Sequence, residues 1–159
     1  MTVEGMNIID QAVLDRISEG ARQAPRLRKN HNLHANDQSA CHRLFNGIEP
    51  GSYIRPHRHL HPDKDETFVL MRGSLGVVSF DEAGEVTWTA LLKTGHAVAA
   101  DIPHGVYHTA VALESGTIFF EAKAGPYLPL AEEEKGGFAP EEGSAEAAAY
   151  LERLAGLFA

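Results

Sequence analysis

Residues 51–73, GSYIRPHRHLHPDKDETFVLMRG, set three histidines (His57, His59 and His61) within five positions, follow them with the charged run DKDE, and then turn apolar. Side chains alternate along a strand, so His57 and His59 are expected on one face with Tyr53 and Arg55, and Ile54, Pro56 and Arg58 on the other. Two imidazoles then converge. Glu66 opens the next strand and reaches the same point if the two segments form a hairpin, with Phe68 and Leu70 as apolar walls on its face. Farther along, the turn Pro103-His104-Gly105 leads into a strand at His108. A partly buried group of imidazoles and one carboxylate has polar atoms that are hard to satisfy without a cation. His57, His59, Glu66 and His108 are therefore the expected ligands of one divalent metal. Asp63 and Asp65 are the alternatives to Glu66, and His61, His96 and His104 fall in turns where a solvated side chain is the default.

Working outward, residues 43–123 are short apolar runs punctuated by EPG, HPDKD, RGS, DEAGE, KTG, PHG and ESG. Eight strands fit between these turns, with no βαβ alternation, which predicts an all-β antiparallel barrel or jelly roll. Upstream, Asn7 is a candidate helix cap, and Ile9, Val13, Ile17 and Ala21 recur at helical spacing until Pro25. Residues 26–42 show no period and read as an arm. Residues 146–157, EAAAYLERLAGL, are rich in helix formers and predict a second short helix. The expected organisation is a helix and arm over 1–42, a barrel over 43–127, and an acidic helical extension over 128–159, together one domain.

Composition narrows the function. With 159 residues, 43% of them hydrophobic, the chain suffices for one core. Its net charge of −8 argues against nucleic-acid partners, which need a basic surface. From Glu132 onward seven acidic residues face only Lys135 and Arg153, which reads as a solvated charge run. No secretory leader or membrane span is expected, and a lone cysteine, Cys41, suits a reducing compartment, so a cytoplasmic location is expected.

The spacing Gly51, His57, His59, Glu66, Gly73, followed by Pro103, Gly105 and His108, resembles the two motifs of the cupin superfamily. The interval between His59 and Glu66 is longer than usual, and Ala112 stands where an asparagine is common. PRLRKN at 25–30, NLH at 32–34, EPGSYIRPHRH at 49–59, IPHGVYHT at 102–109, FEAKAGPY at 120–127 and FAPEEG at 138–143 resemble the WbuC family of cupin-fold metalloproteins. The resemblance implies a cupin barrel with a three-histidine, one-glutamate metal site, and a link to bacterial surface polysaccharide gene sets; it implies no particular reaction. A homodimer is a candidate assembly.

Three imidazoles and a carboxylate suit Zn²⁺, Fe²⁺, Mn²⁺, Ni²⁺ or Co²⁺. Arg55, on the ligand face, is expected to grip a carboxylate or phosphate, with Arg28 and Lys29 of the arm closing over the mouth and His34 lining it. Tyr53 is a candidate acid or base. Glu121 and Lys123 share a face of the last barrel strand and form a candidate acid-base couple. The expected ligand is a small anion. Two classes of function follow: a metal-dependent enzyme acting on an anionic, sugar-derived metabolite by isomerisation, epimerisation or oxidation, or a non-catalytic sensor whose metal completes a ligand pocket.

Overall fold

The computed structural model describes residues 2–3 and 5–159. A two-stranded ribbon, β1 (Thr2–Val3) with β2 (Met6–Asn7), precedes helix α1 (Gln11–Gln23). Eight strands follow: β3 (Arg28–Asn32), β4 (Cys41–Ile48), β5 (Glu66–Arg72), β6 (Ser74–Phe80), β7 (Val86–Lys93), β8 (Ala99–Ile102), β9 (Tyr107–Ala112) and β10 (Thr117–Ala124). They make two antiparallel sheets, in the orders β3-β4-β10-β5-β8 and β7-β6-β9. A 3₁₀ turn at Glu132–Glu134 and helix α2 (Ala147–Gly156) end the chain. No helix among the described residues is long and apolar enough to cross a membrane.

Period-two alternation builds three apolar layers. Inward residues Ile48, Phe68, Leu75, Val77, Leu92, Ile102, Ala110 and Phe119 fill the space between the sheets. The opposite parity of β4 and β10 turns Phe45, Ile118 and Phe120 outward, where Val13, Leu14 and Ile17 of α1 cover them. The opposite parity of β6 and β9 sends Val78, Phe80 and Val111 outward beneath Ala147, Leu151 and Leu154 of α2. A Cβ at Gly47 would stand 2.9 Å from the Ile17 carbonyl, so glycine is what lets α1 lie this close to β4. Helices thus cover both faces of the sandwich.

Four expectations change. The cap of α1 is Asp10, whose carboxylate accepts the Val13 amide at 3.0 Å, rather than Asn7. Residues 28–32 of the expected arm form β3, paired along β4; as an edge strand of half-exposed polar residues it lacks the apolar alternation that would have marked it. Residues 52–56 carry no ladder. Pro56 has no N–H, and only His57 forms an isolated bridge, so seven rather than eight strands lie within 43–123. The acidic end, read as solvated, is partly a structural strap: Glu142 takes both Arg26 and Arg28, and Glu134 accepts the Leu60 amide at 3.0 Å.

Candidate metal centre

His57 lies between two neighbours. It exchanges both backbone hydrogen bonds with His108 of β9, at 3.1 and 2.9 Å, and bridges Lys135 on its other side. Arg58 turns the other way: its amide donates to the Glu134 carbonyl at 2.8 Å, while its guanidinium lies 4.2 Å over the Tyr107 ring. The Gly136 amide donates to the Pro56 carbonyl at 2.8 Å, and the Gly105 amide to the His59 carbonyl at 2.7 Å. The histidine segment is therefore held by β9 on one edge and by the strap on the other, with His57 and His59 turned into the barrel.

Glu66 arrives from elsewhere. Strand β5 pairs with β10 and β8 and makes no hairpin with the histidine segment, yet its first residue points to the same spot from the facing sheet. Ligand atoms of His57, His59, Glu66 and His108 all lie within 4.8 Å of one another. Asp65 instead accepts the backbone and ring N–H of His104, each at 2.7 Å, and Asp63 is exposed beside His61. His96 is exposed on the turn between β7 and β8.

The donor chemistry fits a divalent ion. Nδ1 of His57 lies 2.9 Å from the Arg55 carbonyl, and Nδ1 of His108 lies 2.9 Å from the Val106 carbonyl. A carbonyl only accepts, so both rings carry their hydrogen on Nδ1 and present Nε2 inward, as metal-binding imidazoles do. His108 Nε2 is 2.6 Å from Glu66 Oε2, yet the two are not aligned as a hydrogen bond, and both are buried with no other partner. Two acceptors this close repel unless a cation stands between them, either a proton or a metal. A His/Glu cluster of this composition can hold a divalent metal.

Electrostatics around the cluster follow from burial and charge. Burial pushes His57 down to about 3. Burial also opposes the charged form of His108, but the Glu66 carboxylate outweighs it and raises the ring above its ordinary value. Glu66 is likewise penalised by burial, while His108 and His59 hold it well below the usual carboxylate range. Beside them, Lys123 donates to Glu66 Oε1 at 2.8 Å and to Glu121 Oε1 at 3.1 Å, and the Asn46 side-chain amide donates to Glu121 Oε2 at 3.0 Å. Burial, together with the neighbouring Glu66 charge, pushes Glu121 up to about 7. Burial works against the Lys123 charge, but Glu121 and Glu66 overcome it and raise the ammonium above its ordinary value.

A pH signature follows. The raised His108 contributes stability that is complete below its ordinary value of 6.5 and is lost as pH rises through its folded value. Glu121 acts in the same direction between 4.5 and about 7, because its buried carboxyl resists losing its proton. His57 acts oppositely, but only between about 3 and 6.5, where it offsets Glu121. Metal-free protein is therefore expected to lose stability as pH rises above 6.5, and metal-loaded protein to be spared, because the ion replaces the proton between His108 and Glu66. Thermal midpoints of both forms at about pH 6 and about pH 8 measure this. An equal decline in the two forms would place its cause outside the cluster.

His57 and His59 line a mouth of about 410 Å³, and His57, Glu66 and His108 line an adjoining inner chamber of about 160 Å³; Asn30, His57, Glu121 and Lys123 border both. Among residues predicted from sequence, Glu121 and Lys123 line both spaces, and His34 lines the mouth. His34 accepts the Arg43 amide on Nδ1 at 3.1 Å and stacks on His42, with ring centroids 4.0 Å apart. Arg28 reaches the inner chamber, but its charge is taken by Glu142 at 2.9 Å. Three predictions fail. Tyr53 is buried under α2 against Tyr150, its hydroxyl donating to the Pro140 carbonyl at 2.7 Å, and burial raises its phenol. Arg55 donates to the Gly136 carbonyl at 3.2 Å and faces Glu141, away from both spaces. Lys29 packs along Gly20 of α1 on the outer face. The parity that joined Tyr53 and Arg55 to His57 requires a regular strand, and none exists before Pro56; Ile54 is the inward residue instead.

Sequence reasoning missed Asn30, Asn46, His42 and Lys64, which line these spaces. Asn46 and His42 had a signal, being the polar residues at the inward parity of Leu44 and Ile48 in β4.

A family model described as Domain of unknown function (DUF6016) matches residues 9–92, more than half of the chain. The chain belongs to the DUF6016 family. No curated protein matches the sequence. Solved structures resembling this DUF6016 member include KdgF from Halomonas sp., at 18% identity over 67% of this chain and 85% of that one, with a TM-score of 0.50. A conserved protein of unknown function, SPY1581 from Streptococcus pyogenes, is 12% identical over 79% of this chain and 93% of that one, with a TM-score of 0.52. Oxalate decarboxylase OxdC of Bacillus subtilis is 18% identical over 67% of this chain and 30% of that one, at a TM-score of 0.48. The fold of this DUF6016 chain is thus the cupin jelly roll, with a helix on each side.

Proposed function

We propose that this protein is a metal-dependent enzyme that moves a proton on a small anionic, sugar-derived metabolite, by isomerisation or epimerisation. The observation that carries this reading is the half-buried Glu121–Lys123 pair, 3.1 Å apart, lining both spaces beside the His/Glu cluster. A divalent ion held by His57, His59, Glu66 and His108 would polarise a ligand carbonyl and orient its oxygens. Glu121 would take the proton from the carbon next to that carbonyl, as the C–H electron pair moves toward the carbonyl oxygen. Protonation of the former carbonyl carbon, while its oxygen takes up a proton and the neighbouring hydroxyl gives one up to become the new carbonyl, gives an isomer; protonation of the original carbon from the opposite face by water gives an epimer. Neither outcome requires an oxidant. Asn46 fixes the carboxyl plane, and Lys123 supports the ionised form that accepts the proton. The resemblance of the separated blocks to WbuC-family cupins supports a place in bacterial surface polysaccharide metabolism.

The reading is tested in D₂O with metal-loaded protein and D-galacturonate or D-glucuronate, following exchange of the C–H beside the carbonyl by proton NMR. Glu121→Gln should slow exchange by at least about 100-fold with unchanged metal content. Binding of these acids without exchange in wild type would instead favour a non-catalytic ligand sensor.

A further inference from the structure

Two ammonium groups face the mouth above the histidine cluster, and their surroundings differ. Lys123 is matched by Glu66 and Glu121. Lys64, on the loop before β5, makes no ion pair among the described residues. Its Nζ donates one 2.7 Å bond to the Pro126 carbonyl, which leaves two of its three N–H groups for the cavity. The loop that carries it is fixed, since the Lys64 amide bonds the His61 carbonyl at 3.0 Å and Asp65 bonds His104. Asp37 also lines the mouth but lies beyond ion-pair reach of Lys64, with its backbone carbonyl taken by Tyr127 and His42. Glu134 and Glu66 act on Lys64 only from beyond ion-pair distance, so this half-buried ammonium faces the mouth with hydrogen-bond donors to offer an incoming anion.

We propose that Lys64 anchors a second acid group of a ligand whose other end places a hydroxyl or keto oxygen and a carboxylate at the His57–His59–Glu66–His108 cluster. The ligand class is therefore a hydroxy or keto acid with an additional carboxylate or phosphate arm. This rests on the reading of the cluster as a metal centre. Lys64 takes the part expected of Arg55, which is turned away. Asn30, Asn32 and His34 also line the mouth and offer amide and imidazole groups to hydroxyls between the two acid ends.

The test uses L-malate and glycolate, which differ only by the second carboxylate arm, titrated calorimetrically into metal-loaded wild type, Lys64→Gln and Lys64→Arg. Lys64→Gln should weaken malate about tenfold or more, leave glycolate within about twofold, and be largely rescued by Lys64→Arg. Unchanged malate affinity in Lys64→Gln would overturn the anchor and leave the metal-centre reading standing. An equal loss for both acids would overturn it too, because Lys64 would then be supporting the loop or the cluster. Failure of both acids to bind wild type, or equal binding after metal removal, would overturn the metal-centre reading beneath it.

Discussion

His57→Ala, His108→Ala and Glu66→Gln are each expected to weaken metal binding by more than about hundredfold, because changes outside the ligand shell alone cost roughly 10–100-fold. Purified wild type should hold about one divalent ion per chain, and the three variants should be nearly empty after dialysis against a weak chelator. His96→Ala should match wild type, since that ring is exposed on the β7–β8 turn, and Asp63→Asn should be silent for the same reason. Elemental analysis gives the occupancy, and circular dichroism confirms that each variant is folded. His57 and His108 also exchange backbone hydrogen bonds, but alanine keeps those, so the loss reports the side chains. Equal metal in His57→Ala, His108→Ala and His96→Ala would remove the site.

Lys123→Met should be the most damaging single change to stability away from the ligands. The ammonium sits 2.8 Å from Glu66 and 3.1 Å from Glu121, and its removal takes away the cation that these two carboxyl groups share. Breaking one side of a buried ionic group in this way costs about 3–5 kcal/mol. Urea unfolding of metal-free protein at about pH 8, above the Glu121 value of about 7, should show a loss of that order. Adding Glu121→Gln should recover a substantial part, because the second charge is then gone, and loading the metal should recover more. A cost below about 1 kcal/mol in metal-free Lys123→Met would show that Glu66 and Glu121 are not both held charged by this lysine.

What sequence could reveal divides along a physical line. Spacing inside regular elements transfers well: Glu121 and Lys123 on β10, Phe68 on β5, and the 3.6-residue stripe of α1 all face where their period puts them. His57 and His59 also share a face, because β9 and the strap hold that short stretch extended. Tyr53 and Arg55 were misplaced by carrying the same period across Pro56, beyond the last ladder bond. Lys64 was legible as a charge but not as a cavity residue, since what aims it at the mouth is the Pro126 carbonyl, 62 residues away. Glu134 and Glu142 looked like solvated charge because their partners, the Leu60 amide and the Arg26–Arg28 pair, are far away in sequence. Charge says only that a partner or water is needed, and the fold decides which.

The bracket around His57 also sets a temporal order. Chains are made from the N-terminus, and the histidines at 57 and 59 leave the ribosome before β9 and the Glu134–Gly136 segment that close around them. Until those residues are available, the half-made barrel has a loose pair of imidazoles and an edge with unmet hydrogen bonds. A metal held by all four ligands would therefore have to await β9 and the Glu134–Gly136 segment, which lock the histidine stretch in place.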